Sequence, residues 1–280
     1  MSIRTDLAVE CFDAEARTLP KGMKRRIRKS SSCTITEIII EDEIAGRRIG
    51  KTRGRYITVE TNRLSAHPDD FSEQAEDISA EISALMGEPN KLLVIGLGNR
   101  DITPDALGPM TVSGVISTRH IVNISGLPKT NNVAAVAPGV LGQTGIESAE
   151  IAYALCDTVH PDCVIAVDAL ACSDISRLGT TIQITDTGIS PGSGVQNRRR
   201  ELSRATLGVP VIAVGVPTVI DMHTIVENIT GSQPEKHLPN MMVTPRDVDE
   251  LIRRTSKLLA FSINKCAQRG LTEPEIISLM

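Results

Sequence analysis

The sequence predicts an α/β protein with a doubly wound, mostly parallel sheet flanked by helices. Short, wholly apolar runs at residues 92–95 and 163–167 are typical of parallel strands that are buried on both faces. Segments with apolar residues at helical spacing separate the strand-like runs, and this alternation favours the α/β class. With 280 residues and a hydrophobic fraction of 41%, the chain is long enough to bury such a core.

The N-terminal part is predicted to add an antiparallel hairpin elaboration over residues 33–60. Its strand-like runs are interrupted at Gly46 and Gly54, which favours neighbouring antiparallel strands. The basic run at residues 24–29 predicts an exposed surface or a helix end. Apolar residues at helical spacing then predict a helix over residues 70–86, which leads into the central strand.

The stretch 91–109 predicts a buried strand, a tight loop and the start of a helix. Gly96 and Gly98 end the strand. Thr103 is placed to cap the helix, and Asp105 would lie among the free backbone N–H groups of its first turn. Ligands of α/β proteins bind at the carboxyl ends of the strands, so Asp105 is a candidate catalytic acid.

The rest of the chain continues the alternation of strands and helices. Further strands are predicted over residues 133–137, 163–167, 180–185 and 209–216. Helices are predicted over residues 106–118, 146–158, 219–230 and 244–269, the last with a capping threonine. Asp168 directly follows the strand at 163–167, which predicts a second carboxylate at the carboxyl tip of an inner strand.

Composition and charge exclude several classes of protein. A formal net charge of −4 argues against general nucleic-acid binding, because that affinity rests on neutralising phosphates. The sequence has no apolar run of membrane-spanning length and no apolar signal core at its start, so we expect a cytoplasmic protein. The six cysteines lack C-x-x-C spacing and are interpreted as reduced and structural.

Two short motifs are weak matches to known sites. The dinucleotide-binding fingerprint would use Gly96 and Gly98, but the position of its third glycine is Asp101. The G-x-S-x-G pattern around Ser190 is followed by Pro191, which has no N–H to offer to an oxyanion hole. We therefore favour a tight turn and a loop over these two functions.

Carboxylates and a histidine near strand ends leave two chemical hypotheses open. Asp105 and Asp168 can act as a general acid and a general base, because two adjacent carboxyl groups tend to share one proton. Alternatively, Asp105, Asp168 and His223 can converge as metal ligands, although the five histidines show no H-x-x-x-H pair. Backbone N–H groups at Gly96, Gly98 and Asn99 are candidate oxyanion donors.

Several motifs together resemble the germination protease family of spore-forming bacteria. They are GLGN (96–99), TPDALGP (103–109), APGVLGQTGIES (137–148), VIAVDALA (164–171) and DTGISPGSGVQNRR (186–199). In addition, RTDLAVE at residues 4–10 resembles the family's self-processing site. It also resembles the family's cleavage site in small acid-soluble spore proteins, in which an acidic residue precedes an apolar residue and alanine, with a glutamate shortly after.

The resemblance implies an endopeptidase made as a zymogen. It would clip itself between Asp6 and Leu7, so that residues 1–6 are a prosegment and residues 7–280 a single peptidase domain. It would degrade small acid-soluble spore proteins during germination in the spore core, after synthesis in the forespore, and assemble as a homotetramer. No cofactor, membrane or direct nucleic-acid partner is expected.

The resemblance also implies roles for individual residues. The catalytic pair would be Asp105 and Asp168. The family's fold is similar to that of hydrogenase-maturation endopeptidases, where comparable positions bind nickel. This similarity is a second reason to consider the metal alternative with Asp105, Asp168 and His223. A non-catalytic module that binds a nucleotide or another small ligand is the alternative from another class of protein.

Overall fold

A single mixed sheet organises the chain. The computed structural model describes residues 5–13, 21–66, 70–121, 130–192, 200–232 and 241–280. Within these ranges, nine strands form one sheet, and helices cover both of its faces. The predicted α/β class is confirmed, with a parallel core and antiparallel strands from the N-terminal part of the chain.

The described strands follow an order in the sheet that differs from their order in the chain. They are β1 (Met23–Lys29), β2 (Thr34–Ile40), β3 (Gly54–Glu60), β4 (Lys91–Gly96), β5 (Asn132–Val136), β6 (Cys163–Cys172), β7 (Thr181–Thr185), β8 (Val211–Asp221) and β9 (Met242–Val243). The order is β1-β2-β3-β7-β8-β6-β4-β5, and β9 pairs with β8. Parallel pairing joins β8, β6, β4 and β5, and every other pair is antiparallel.

The described helices divide between the two faces. They are α1 (Ala8–Asp13), α2 (Glu43–Ile49), α3 (Phe71–Met86), α4 (Leu107–Ser113), α5 (Leu141–Thr144), α6 (Ser148–Val159), α7 (Arg204–Leu207), α8 (Met222–Thr230), α9 (Val248–Ala267) and α10 (Glu273–Leu279). Helices α3, α4, α9 and α10 pack into one core on the first face. On the opposite face, α1 and α2 pack into a second core, and α6 and α7 into a third. No described helix is both long and apolar enough to span a bilayer.

The central strand shows why the apolar runs had to be buried on both sides. In β4, Leu92 and Val94 join the core under α3 and α9. Leu93 and Ile95 alternate with them and join the core under α6. These four side chains are at most 2% exposed. The parallel strands predicted at 92–95 and 163–167 are therefore confirmed as the centre of the fold.

Two strands run farther than predicted. β6 continues through Asp168 to Cys172, so Asp168 lies inside the strand and not at its tip. β8 includes Pro217 and continues to Asp221, beyond the predicted strand 209–216 and into the predicted helix 219–230. The two strands keep pairing beyond this point because the register shifts between Leu170 and Ala171, and a strand tolerates proline at such an irregularity.

The N-terminal part forms a larger antiparallel sheet than the predicted hairpin. β2 and β3 confirm the antiparallel elaboration at residues 33–60, with α2 between them. The basic run at 24–29, predicted as surface or a helix end, is the exposed edge strand β1. Its charged side chains suit an edge, where they discourage pairing with a strand of another chain.

Two predicted helices are shorter than expected. The helix predicted over residues 106–118 is α4, which ends at Ser113 with Gly114 as its C-cap and follows a 3-10 turn. The helix predicted from Thr244 is α9, whose N-cap is Asp247, so Thr244 does not cap it. The Thr244 hydroxyl donates instead to the carbonyl of Pro245.

The first prediction concerns the close contact between α4 and the sheet. A Cβ atom on Gly108 would lie 2.3 Å from the Leu97 carbonyl oxygen and 2.5 Å from the Val167 carbonyl oxygen. Both neighbours are backbone atoms of the central sheet region, so we expect Gly108→Ala to lower the free energy of unfolding by about 1–3 kcal/mol. Gly142→Ala is the matched control, because nothing lies within 4 Å of its added Cβ. Urea denaturation measures both, and equal stability of the two variants would contradict the packing argument.

Candidate active site

The loop after β4 places Asp105 at the carboxyl edge of the parallel strands. The chain turns at Gly98, whose φ of 112° is a conformation that favours glycine. A Cβ on Gly98 would lie 2.0 Å from the carbonyl oxygen of Asp105. Asp105 Oδ2 accepts a hydrogen bond of 2.8 Å from the backbone N–H of Asn99. The carboxylate is therefore held against the loop that ends the central strand.

The local structure around Asp105 differs from the predicted helix start. Thr103–Asp105 is a 3-10 turn preceded by Ile102, and no side chain caps it, so the predicted Thr103 cap is wrong. Asp105 ends this turn, and its carboxylate binds the preceding loop. The Asn99 N–H, one of the predicted oxyanion donors, is donated to this carboxylate.

Neighbouring elements fix the loop from two sides. Thr218, which is fully buried in β8, donates its hydroxyl to the Pro104 carbonyl over 2.7 Å. Gln143 donates its side-chain amide to Asn99 Oδ1 over 2.8 Å and to Asp101 Oδ2 over 3.0 Å. The position of Asp105 thus depends on the fold and not on the loop alone.

Asp168 lies on the adjacent strand at the same edge. Gly96, the last residue of β4, pairs with Val167, and the N–H of Leu97 donates to the Val167 carbonyl over 2.8 Å. Asp168 is therefore the first residue of β6 beyond the end of β4. It is 5% exposed, and its Oδ1 accepts a hydrogen bond of 2.9 Å from the N–H of Ala169.

The topology makes this edge a place where a substrate can bind. From β4 the chain crosses to β5 on one side, and from β5 it returns to β6 on the other side. Such a reversal opens a crevice between the two neighbouring strands at their carboxyl ends. Asp105 and Asp168 both border this crevice. The catalytic roles of both residues stay predictions.

The predicted processing site, Asp6-Leu7, packs against β6. The N–H of Asp6 donates to the Ala171 carbonyl over 3.0 Å, and the Ala171 N–H donates to Asp6 Oδ2 over 2.9 Å. Leu7 is fully buried in the second core together with Leu170. Side chains alternate between the faces of a strand, so Asp168 points to the same face of the sheet as Leu170 and the seated Leu7.

Glu10 fixes the other end of this segment. Its Oε2 accepts hydrogen bonds from the Ser173 N–H (2.8 Å) and the Ser173 hydroxyl (2.7 Å). Its Oε1 accepts one of 3.1 Å from the Asp174 N–H and lies 3.9 Å from Arg177 Nε. Glu10 is 5% exposed, so a buried carboxylate is held by several donors at once. Sequence reasoning identified Glu10 as part of a motif but not the residues that bind it.

The metal alternative finds no ligand cluster in the described part of the chain. No three His, Cys, Asp or Glu side chains among those residues are grouped so that they can hold an ion. Asp105 and Asp168 lie at the crevice, whereas His223 lies in the first turn of α8. His67 and His237 are outside the described residues.

The serine motif and the cysteines are structural where they are described. Gly188 could not carry a side chain, because its Cβ would lie 2.1 Å from the Leu202 carbonyl oxygen, and Ile189 pairs with Leu202. All six cysteines are thiols. Burial raises the pKa of Cys163 to about 12 and that of Cys33 to about 11, which keeps both thiols protonated at neutral pH.

This α/β protein has two acidic side chains at a crevice and binds its own N-terminal segment along β6, the strand that carries Asp168. Such an arrangement is suited to a peptidase. A family model described as germination protease matches residues 6–231. The chain belongs to the germination protease family, and its predicted resemblance to that family is confirmed.

Two germination proteases are similar to this chain, in agreement with the assignment. The chain is 39% identical to a germination protease of Caldanaerobacter subterraneus over 320 aligned positions, which cover all of this chain and 98% of the relative. It is 44% identical to a germination protease of Bacillus mycoides over 240 positions, which cover 80% of this chain and 65% of the relative. Among solved structures, a [NiFe] hydrogenase maturation protease, HycI from Thermococcus kodakarensis, matches 66% of this chain and 99% of its own, with 17% identity and a TM-score of 0.35.

The second prediction concerns the buried carboxylate of Glu10. We expect Glu10→Gln to lower the free energy of unfolding by about 2 kcal/mol, because hydrogen bonds to a buried charged group would be weakened. Glu43→Gln is the control. Glu43 forms an ion pair with Arg47, but the side chains of Arg47 and Glu43 are 79% and 77% exposed, so this pair should contribute almost nothing to stability. Urea denaturation of both variants tests this, and an equally small effect of both would show that the Glu10 contacts do not stabilise the fold.

Proposed function

We propose that this protease degrades small acid-soluble spore proteins during germination and is made as a zymogen that clips itself between Asp6 and Leu7. Asp105 and Asp168 would activate the attacking water. It would act in the spore core as a homotetramer, without a cofactor. Membership of the germination protease family supports the activity. The observation that carries the mechanism is the position of both aspartates at one crevice, with the clipping site on the same strand as Asp168.

The N-terminal segment supports self-processing because it is seated like a bound substrate. The residues that resemble the family's cleavage motif are held at Asp6 by Ala171 and at Glu10 by Ser173. Ala171 lies three residues beyond Asp168, and three residues of strand span about 10 Å. Cleavage therefore requires the segment to shift along β6, so the seated form is the resting form of the zymogen.

In the proposed reaction, one carboxylate takes a proton from water while the other carboxyl group donates a proton to the Leu7 nitrogen. We assign the base to Asp105, because its side chain is less buried than that of Asp168 and its charged form therefore loses less hydration. Asp168 is 5% exposed, and burial favours the neutral acid. The same pair would act on spore proteins that carry the motif.

The third prediction tests the aspartates directly. Asp105→Asn and Asp168→Asn should each slow clipping at Asp6-Leu7 by at least about 100-fold, because each removes a proton-transfer group. Asp157→Asn is the matched control, since Asp157 is an exposed aspartate on α6. Mass spectrometry of the purified chain over time measures clipping, and circular dichroism verifies folding. Clipping at the normal rate in either aspartate variant would remove that residue from the mechanism.

The fourth prediction follows from the burial of the clipping site. Leu7 and Ala8 are fully buried, so a second molecule cannot reach the bond while the segment is seated. We expect a first-order reaction whose rate constant is unchanged when the protein is diluted tenfold. The fraction clipped is measured by mass spectrometry at each dilution. A rate constant that falls in proportion to concentration would mean that separate molecules cut one another.

A further inference from the structure

We propose that Lys51 is a further catalytic residue of self-processing. Its ammonium group would stabilise the negative charge that develops on the carbonyl oxygen of Asp6 when the Asp6-Leu7 bond is cleaved. Lys51 Nζ lies 2.8 Å from this oxygen and 3.4 Å from the carbonyl oxygen of Thr5. The inference rests on the proposed self-processing, and it names a group that the aspartate mechanism does not include.

The backbone of Lys51 is held in a fixed place. Helix α2 ends at Gly50, which has a φ of 66°. The N–H of Lys51 then donates to the Gly46 carbonyl over 3.0 Å. Gly46 has no room for a side chain, because its Cβ would lie 2.3 Å from the Lys51 carbonyl oxygen. The helix end therefore presents this lysine to the N-terminal segment.

The Asp6 carbonyl is fixed from its own side. Asp6 exchanges two hydrogen bonds with Ala171, one through its N–H and one through its carboxylate. Leu7, on the other side of the bond, is fully buried. The contact between Lys51 and this carbonyl is therefore present in the seated, resting form. The proposal requires the ammonium group to stay with the carbonyl as the segment shifts toward Asp168, and the flexible four-carbon stem of Lys51 allows the ammonium group to move while the backbone stays in place.

One of the predicted oxyanion donors, the Asn99 N–H, is donated to the Asp105 carboxylate over 2.8 Å. A charged donor in a partly buried site stabilises a developing oxyanion more strongly than a neutral one. Lys51 is partly buried and touches the oxygen on which that charge would form.

The reaction balances with water as the second reactant. The water oxygen bonds to the carbonyl carbon of Asp6 while its proton passes to the basic carboxylate. The electron pair of the carbonyl moves to the oxygen, where the Lys51 ammonium donates a hydrogen bond and keeps its proton. When the carbon–nitrogen bond breaks, the Leu7 nitrogen takes the proton of the acidic carboxyl group. The products are a carboxyl group on Asp6 and an amine on Leu7.

The test compares Lys51→Met with Lys51→Arg in the full-length chain. We expect Lys51→Met to slow clipping by about 100- to 1,000-fold, the usual loss for one oxyanion donor. Lys51→Arg keeps a cation and should recover part of the rate. Lys257→Met is the matched control, because Lys257 is an exposed lysine on α9. Mass spectrometry measures the rates, and thermal unfolding verifies that each variant is folded.

Hydrogen exchange separates catalysis from anchoring. If Lys51 acts on the oxyanion, amide protection at residues 7–10 should stay near the wild-type level in Lys51→Met while clipping is lost. Clipping of Lys51→Met within threefold of wild type would overturn the inference. Slow clipping accompanied by lost protection, with no recovery in Lys51→Arg, would also overturn it and assign Lys51 to anchoring.

The aspartate variants distinguish this inference from the function on which it rests. If wild type clips and Asp168→Asn does not, the proposed function stands, and the Lys51 variants decide the inference alone. If the wild-type protein does not clip at Asp6-Leu7 under any condition, the proposal of self-processing is wrong, and so is the proposed role of Lys51.

Discussion

The fold depends on a direct contact of backbone with backbone where α4 crosses the ends of β4 and β6. Gly108 lies against the backbone of Leu97 and Val167, at distances that exclude any side chain. Gly96 lies equally close to the Gly108 carbonyl from the strand side. Because the helix sits this low on the sheet, the turn before it carries Asp105 to the edge where β6 emerges with Asp168. Larger residues would raise the helix and separate the two elements that border the crevice.

The apolar runs predicted the parallel core because burial on both faces is a local property of composition. The lengths of β6 and β8 were not predictable in the same way, because their extension past Asp168 depends on pairing between residues almost fifty positions apart. The same limit applies to β1, whose basic sequence indicates exposure but not a partner strand. Single-sequence patterns describe what a segment buries, whereas strand pairing is decided by the rest of the molecule.

In the candidate site, too, some residues could be predicted from local sequence patterns and others could not. Asp105 and Asp168 follow buried strands, so their position near a carboxyl edge could be predicted from the sequence. Lys51 and Ser173 carry no such signal, because a lysine after a glycine and a serine after a strand are common on protein surfaces. Their relation to Asp6 and Glu10 arises from contacts over 45 and 163 positions of the chain. A residue that binds the N-terminal segment can be identified only from a structure in which that segment is bound.

The extension of β6 beyond β4 explains how one strand can serve both parts of the proposed reaction. Up to Val167, β6 lies between β4 and β8 as a member of the parallel core. From Asp168 onward, β4 no longer covers it, and its open side lies at the crevice and then at the seat of Asp6. A shorter β6 would end at Asp168 and leave the N-terminal segment without Ala171 to hold it. The irregularity after Leu170 that lets β6 and β8 continue together is thus what connects the acidic residues to the bond that they would cleave.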